Sequence, residues 1–188
     1  MFSRGLSFLS TYRIRIIIHA PVRFLNLMGQ KTVIVLGSKS DIEFAEKIRS
    51  AVSVYSIACE MRIASAHRSP EFLLRLLREY SASGESIVII TVAGLSDALS
   101  GVVAAQRLFP VIACPPDIDK YQLSKIFSSA FTPSDVPVAL VNDPAKAAHF
   151  AAQIFALSNP ALSKTIQNMV QEKKSQIEKD DARLNRTS

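Results

Sequence analysis

From residue 31 onward, short runs of consecutive apolar residues alternate with longer stretches in which apolar side chains recur every three or four positions. Residues 32–36 (TVIVL) form a continuous run of the kind that parallel sheets bury on both faces. The stretch 41–53 follows with Ile42, Phe44, Ala45, Ile48 and Val52 at helical spacing. Residues 59–63 predict a second strand. Residues 70–81 predict a helix with Phe72, Leu73, Leu76, Leu77 and Tyr80 on one face. SIVIITV at 86–92 predicts a third strand, followed by a small-residue helix at 100–107 and a short strand at 111–113. A helix is expected at 122–130 and a strand at 137–141. Asn142-Asp143-Pro144 then supplies a helix start, with a capping side chain and a proline whose missing N–H costs nothing there. That helix runs to 157. A last, polar helix begins at Pro160 or Ala161 and fades into a charged tail near Asp181.

Strands alternating with helices imply an α/β fold with a doubly wound parallel sheet. The chain shows no internal repeat and no interdomain linker. It divides into a basic leader at 1–30, one α/β domain at 31–160, and a C-terminal helix with its charged tail at 161–188. In sheets of this kind, ligands sit beyond the carboxyl ends of the strands.

The net charge of +6 loses its apparent meaning once it is divided along the chain. Residues 1–30 hold Arg4, Arg13, Arg15 and Arg23 and no acid, leaving 18 Lys and Arg against 16 Asp and Glu in the remainder. A near-neutral domain behind a basic leader argues against a nucleic-acid face. The leader's Arg, Ser and Phe overlap with an organelle transit peptide, whereas Arg13 and Arg15 interrupt any secretory apolar region. The plainer reading starts translation at Met28. No apolar run approaches the ~20 residues of a membrane helix. Cys59 and Cys114 lie far apart, each in or beside an apolar run, as reduced thiols of a cytoplasmic protein would.

Three loops hold the candidate chemistry. Gly37-Ser38-Lys39-Ser40-Asp41 follows the first strand, and its glycine, hydroxyls and helix-start N–H groups suit a phosphate, with Asp41 available to a ribose diol. The same residues also serve a structural purpose, since Ser40 and Glu43 fit a capping box. Ser65-Ala66-His67-Arg68-Ser69-Pro70 follows the second strand. Ser69 and Pro70 read as helix cap and first helical residue. Arg68 offers a planar fork for phosphate, and His67 a side chain that exchanges protons near neutral pH. Residues 93–101, AGLSDALSG, permit close backbone approach to an anion, or form a simple turn. His149, within an alanine-rich helix, reads as structural.

Together the loops resemble one family. GSKSD after the first strand and SAHRSP after the second are signatures of PurE, and the likeness continues through AGLSDALSG, PVIACPPD and AAQIFAL, over 32–157. The resemblance implies a flavodoxin-like three-layer fold and a homo-oligomer, octamer or tetramer, with active sites between subunits. It also implies no metal and no organic cofactor. The implied product is 4-carboxy-5-aminoimidazole ribonucleotide (CAIR) in de novo purine biosynthesis. Class I members are mutases acting on N5-carboxyaminoimidazole ribonucleotide; class II members carboxylate aminoimidazole ribonucleotide (AIR) with carbon dioxide. By position Ser38, Ser65 and Arg68 look like phosphate ligands, and Ser40 and Asp41 like ribose or base ligands. Ala93, Gly94 and Ser96 look like substrate contacts of the third loop, and His67 like the proton-transfer residue. The implied partners are a phosphorylated imidazole ribonucleotide and carbon dioxide, with no nucleic acid and no membrane.

The chain departs from both classes. Class I has a histidine in the third loop (GGAAHLPG) where this chain has Ala98. Class II reads GRSNALSG, which the loop matches apart from Leu95 for Arg and Asp97 for Asn. IACPP at 112–116 also resembles class II, whereas Arg68 after the histidine is the class I choice. Where class II has SSLRMPSG, Phe131 replaces the arginine and Asp135 the glycine. The balance favours class II. The alternatives are a class I mutase and a diverged nucleotide-binding protein without turnover.

Overall fold

The computed structural model describes residues 29–116 and 127–185. Five parallel strands, β1 (Gln30–Leu36), β2 (Ala58–Ile63), β3 (Ser86–Val92), β4 (Val111–Ala113) and β5 (Ala139–Leu140), form one sheet in the order β2-β1-β3-β4-β5. This is the flavodoxin-like order, in which the chain turns back between β1 and β3 and opens a crevice there.

Two-sided burial explains why the first and third strands are apolar runs. Ile34, Leu36, Val88, Ile90 and Val92 face one way, against α1 (Ile42–Ser53), α5 (Pro144–Ala156) and Leu162 of α6 (Pro160–Leu184). Val33, Val35, Ile87 and Ile89 face the other, against α2 (Pro70–Ala82) and α3 (Ala98–Ala105). Each fully buried Ile, Leu or Val side chain contributes roughly 1.5–3 kcal/mol. A short helix, α4 (Phe127–Ala130), lies beside α3. Edge strand β2 is only half-buried, and its Glu60 and Arg62 pair at 3.1 Å.

The helix starts follow the sequence with local adjustments. Asp143 caps α5 by accepting the Lys146 N–H at 2.8 Å, and Pro144 is its first residue. Asn159 caps α6 and also donates to Gln30 Oε1 at 2.8 Å, tying the α5–α6 corner to the start of β1. The capping box before α1 lies two residues earlier than Ser40 and Glu43. It joins Ser38 and Asp41 around a 3-10 turn at Lys39–Asp41. Ser69 occupies the cap position of α2 without a capping bond, its hydroxyl instead accepting the Ser65 N–H at 3.3 Å.

Helix α3 begins at Ala98, two residues before the expected start, and β5 is shorter than 137–141. Helix α6 continues to Leu184 through the stretch expected to fade. The leader to residue 28 and the first residues of the helix expected at 122–130 lie outside the described residues. Among the described residues, no helix is long and apolar enough to cross a membrane.

Candidate active site

Strand register places the three loops together. Leu36 pairs with Ile63 on one side and Val92 on the other, so β1, β2 and β3 end level. Gly37 N–H donates to the Val92 carbonyl at 2.8 Å and Ala64 N–H to the Leu36 carbonyl at 2.9 Å, carrying the pairing one step past each strand end. The chain then leaves all three strands at the switch point, and α1, α2 and α3 begin around one crevice.

In the first loop the Ser38 N–H donates to Asp41 Oδ2 at 2.9 Å, and the Ser38 hydroxyl accepts the Ser40 N–H at 3.2 Å. Asp41 is 6% exposed. A β-carbon on Gly37 would lie 3.4 Å from Ala93 Cβ, and one on Gly94 3.7 Å from Asp41 Oδ1. The first and third loops therefore touch across this carboxylate.

The second loop is braced on itself. Ser65 Oγ accepts the Arg68 N–H at 3.2 Å, and the Ser65 carbonyl accepts the Ser69 N–H at 3.1 Å. His67 and Arg68 stand exposed beyond this turn, and Arg68 makes no ion pair among the described residues. An unpaired guanidinium beside the positive ends of three helices provides a field for an anion.

In the third loop Ala93 is buried, while Gly94, Leu95 and Ser96 are exposed. Leu95 holds φ +49°, a left-handed conformation uncommon for a leucine. Asp97 turns inward and is fully buried; Ser129 donates to its carboxylate, and Ser100 Oγ donates to its carbonyl at 2.9 Å.

A cavity of about 270 Å³ opens between the loops. Ser38, Ser40, Asp41, Ser65, His67, Arg68, Ala93, Gly94 and Ser96 all line it. All nine residues that the sequence assigns to the site therefore reach the same place. Ala66 and Leu99, which no chemical signal marks for the site, line it as well, together with Leu95 and Ala98, two positions where the chain departs from the family patterns. These four supply the cavity's apolar side. Their signal was their position within the loops, since small and aliphatic residues carry no chemistry of their own. A hollow of about 580 Å³ along β4 and β5 is larger but mostly apolar, lined by Phe109, Leu140 and Phe150 among others. Chemistry rather than size picks out the site.

The other candidates fall elsewhere. His149 Nδ1 lies 2.8 Å from the Tyr55 hydroxyl at the α1–β2 corner, in a structural pair. Among the described residues no three His, Cys, Asp or Glu side chains converge as metal ligands. Cys114 is buried, and its thiol is pushed up to about 12, by burial first and then by the Asp143 and Asp97 carboxylates. Asp135, which replaces a glycine of the resembled pattern, holds the left-handed φ of +64° that glycine favours. Aspartate tolerates that region better than most residues.

Residues 31–176 match the family model described as AIR carboxylase. The chain is 41% identical over 171 residues to a phosphoribosylaminoimidazole carboxylase of Archaeoglobus fulgidus, covering 91% of this chain and 94% of that one. It is 34% identical over 153 residues to an N5-carboxyaminoimidazole ribonucleotide mutase of Methanocaldococcus jannaschii, covering 80% and 95%. The crystal structure of Treponema denticola PurE superposes with a TM-score of 0.78 at 36% identity, covering 82% of this chain and 98% of that one.

Proposed function

The chain belongs to the AIR carboxylase (PurE) family of purine-biosynthesis enzymes, and on that premise we propose that it forms CAIR by carboxylating AIR directly with carbon dioxide. The observation that carries this reading is the meeting of His67 with Ser38, Ser65 and Arg68 around one cavity. In this reading Arg68 and the two hydroxyls hold the 5′-phosphate, as charge-assisted hydrogen bonds to a dianion favour. Ser40 and Asp41 meet the ribose, and Ala93, Gly94 and Ser96 close over the base.

The chemistry then needs little from the protein. The exocyclic amino group pushes electron density onto carbon 4 of the imidazole, which attacks carbon dioxide. A C–C bond forms, one C=O π pair moves to oxygen as a carboxylate, and the positive charge rests on the amidinium of the ring. His67 takes the proton from carbon 4, and the returning electron pair restores aromaticity. Proximity supplies the first step and a positioned base the second. Ala66, Leu95, Ala98 and Leu99 provide the dry side on which uncharged carbon dioxide can rest.

Direct carboxylation is favoured over the mutase reaction by the third loop. Ala98 lines the cavity where the class I pattern has a histidine. Arg68 is the feature that favours the mutase. The cavity's volume lies just below the roughly 300–1,000 Å³ common for small-molecule sites. Leu95 beside it is 71% exposed, and both features fit a pocket completed by another copy of the chain. We assign the working form to a homo-oligomer, octamer or tetramer, in the cytoplasm.

The test supplies purified enzyme with AIR plus bicarbonate, and separately with N5-carboxyaminoimidazole ribonucleotide. Saturable CAIR formation from AIR and bicarbonate supports the carboxylase. Turnover of only the carboxyamino substrate decides for the mutase, and turnover of neither leaves a nucleotide-binding protein.

A further inference from the structure

Between buried Ala93 and Leu99, the exposed residues 94–96 of the third loop line the cavity with little packing of their own. Leu95 holds a left-handed backbone, yet its side chain is 71% exposed and recovers little by burial. What holds the loop lies at its far end. Asp97 is fully buried, and its carboxylate accepts the hydroxyl of Ser129 from α4. Ser100, in the first turn of α3, donates to the Asp97 carbonyl at 2.9 Å and lies 3.0 Å from Ser129 Oγ. A buried carboxylate is costly unless hydrogen-bonded, so a knot of this kind fixes its members tightly. Ser96 before Asp97 and Ala98 and Leu99 after it line the cavity, whereas Asp97 itself does not.

We propose that Asp97, through Ser129 and Ser100, is a positioning residue that sets the cavity wall formed by residues 94–99 against His67. This role rests on the carboxylation reading above. It couples α4 to the site although no residue of α4 lines the cavity. The working feature is hydrogen-bond acceptance, which an asparagine amide oxygen also provides.

The test compares wild type, Asp97→Asn, Asp97→Ala and Ser129→Ala for kcat and KM with AIR and bicarbonate, and for AIR binding by calorimetry. Loss of the anchor is expected to lower kcat about 10-fold or more in Asp97→Ala, since misplacement of order 1 Å carries penalties of that size. Ser129→Ala should show a smaller fall, and Asp97→Asn should stay within about 3-fold of wild type. AIR affinity should fall by less than kcat does, because the first two loops still hold the phosphate and ribose while only the base contacts of Gly94 and Ser96 loosen. A general loss of structure would lower affinity as much. If Asp97→Ala does not fold, Ser129→Ala carries the test, because it keeps the carboxylate and removes one donor.

Unchanged kcat in the variants that fold, with wild type active, overturns the Asp97 role and leaves the carboxylase reading intact. Equal losses in Asp97→Asn and Asp97→Ala also overturn it, by showing that the charge itself is required. A wild type inactive on both substrates removes the carboxylation reading and the Asp97 role with it.

Discussion

Asp41 Oδ2 accepts the backbone N–H of Ser38 at 2.9 Å and lies 3.3 Å from the Ser38 hydroxyl. The residue assigned to the ribose therefore holds in place the residue assigned to the phosphate. Asp41→Ala is expected to cost about 1–2 kcal/mol of stability through the lost capping box. It should also raise KM for AIR about 10-fold, because the cradle loosens as the ribose contact goes. Urea melts and steady-state kinetics on the same samples check both effects. An unchanged KM would reduce Asp41 to a helix cap.

Arg68 is exposed and makes no ion pair within the described chain, so its removal leaves no buried charge behind. Arg68→Ala should shift stability by no more than about 0.5 kcal/mol. Loss of a charge-assisted bond, about 1.5–3 kcal/mol, should weaken AIR binding roughly 10- to 100-fold. Calorimetry and thermal melts separate the two. Tight binding in the variant would remove Arg68 from the phosphate site.

Leu95 carries its φ of +49° without compensation from burial. Leu95→Gly should relieve a strain of about 1–2 kcal/mol and lose part of that gain to the freer unfolded chain, for a net stabilisation of up to about 1 kcal/mol. Leu95→Ala keeps the strain and should leave stability near wild type. A lowered Tm for Leu95→Gly would show that the side chain packs in a way that sets this backbone.

Much of the architecture was legible because burial in this sheet leaves a one-dimensional trace. β1 and β3 are buried on both faces, which demands continuous apolar runs, and α2 shows its buried face at helical spacing. The site loops were legible because signature residues occupy short contiguous segments. The relations within and between loops left no comparable trace. The capping box uses Ser38 and Asp41, although Ser40 and Glu43 have the same spacing and stronger residue preferences. The Asp97–Ser129 bond joins residues 32 positions apart, and nothing local to either marks it. β5 is shorter than its apolar pattern because only two of its residues pair with β4.

Cys114 and Tyr80 are two of the groups that shape the response to alkali, together with Cys59, whose thiol is pushed up to about 11, by burial foremost. The Cys114 thiol is pushed from 9.0 to about 12, by burial foremost, and the Tyr80 hydroxyl from 10.0 to about 12, by burial and then its hydrogen bond to Glu60. In the unfolded chain all three titrate near their ordinary values. Between about pH 9 and 12 the folded state therefore holds more protons, and stability falls as pH rises through that window. Below it these groups contribute no pH dependence. Urea midpoints should decline from pH 9 to 11, and folded Cys114 should resist thiol reagents at pH 8, since the thiolate is the reactive form. A flat stability profile with rapid Cys114 labelling would contradict this burial.

The most direct measurement sets wild type against His67→Asn, following CAIR formation from AIR and bicarbonate alongside AIR binding by calorimetry. Loss of a positioned base should lower kcat at least about 100-fold. AIR affinity should stay within about 3-fold, because the phosphate cradle is untouched. Near-wild-type turnover in the variant would contradict the assignment of His67 as the proton acceptor.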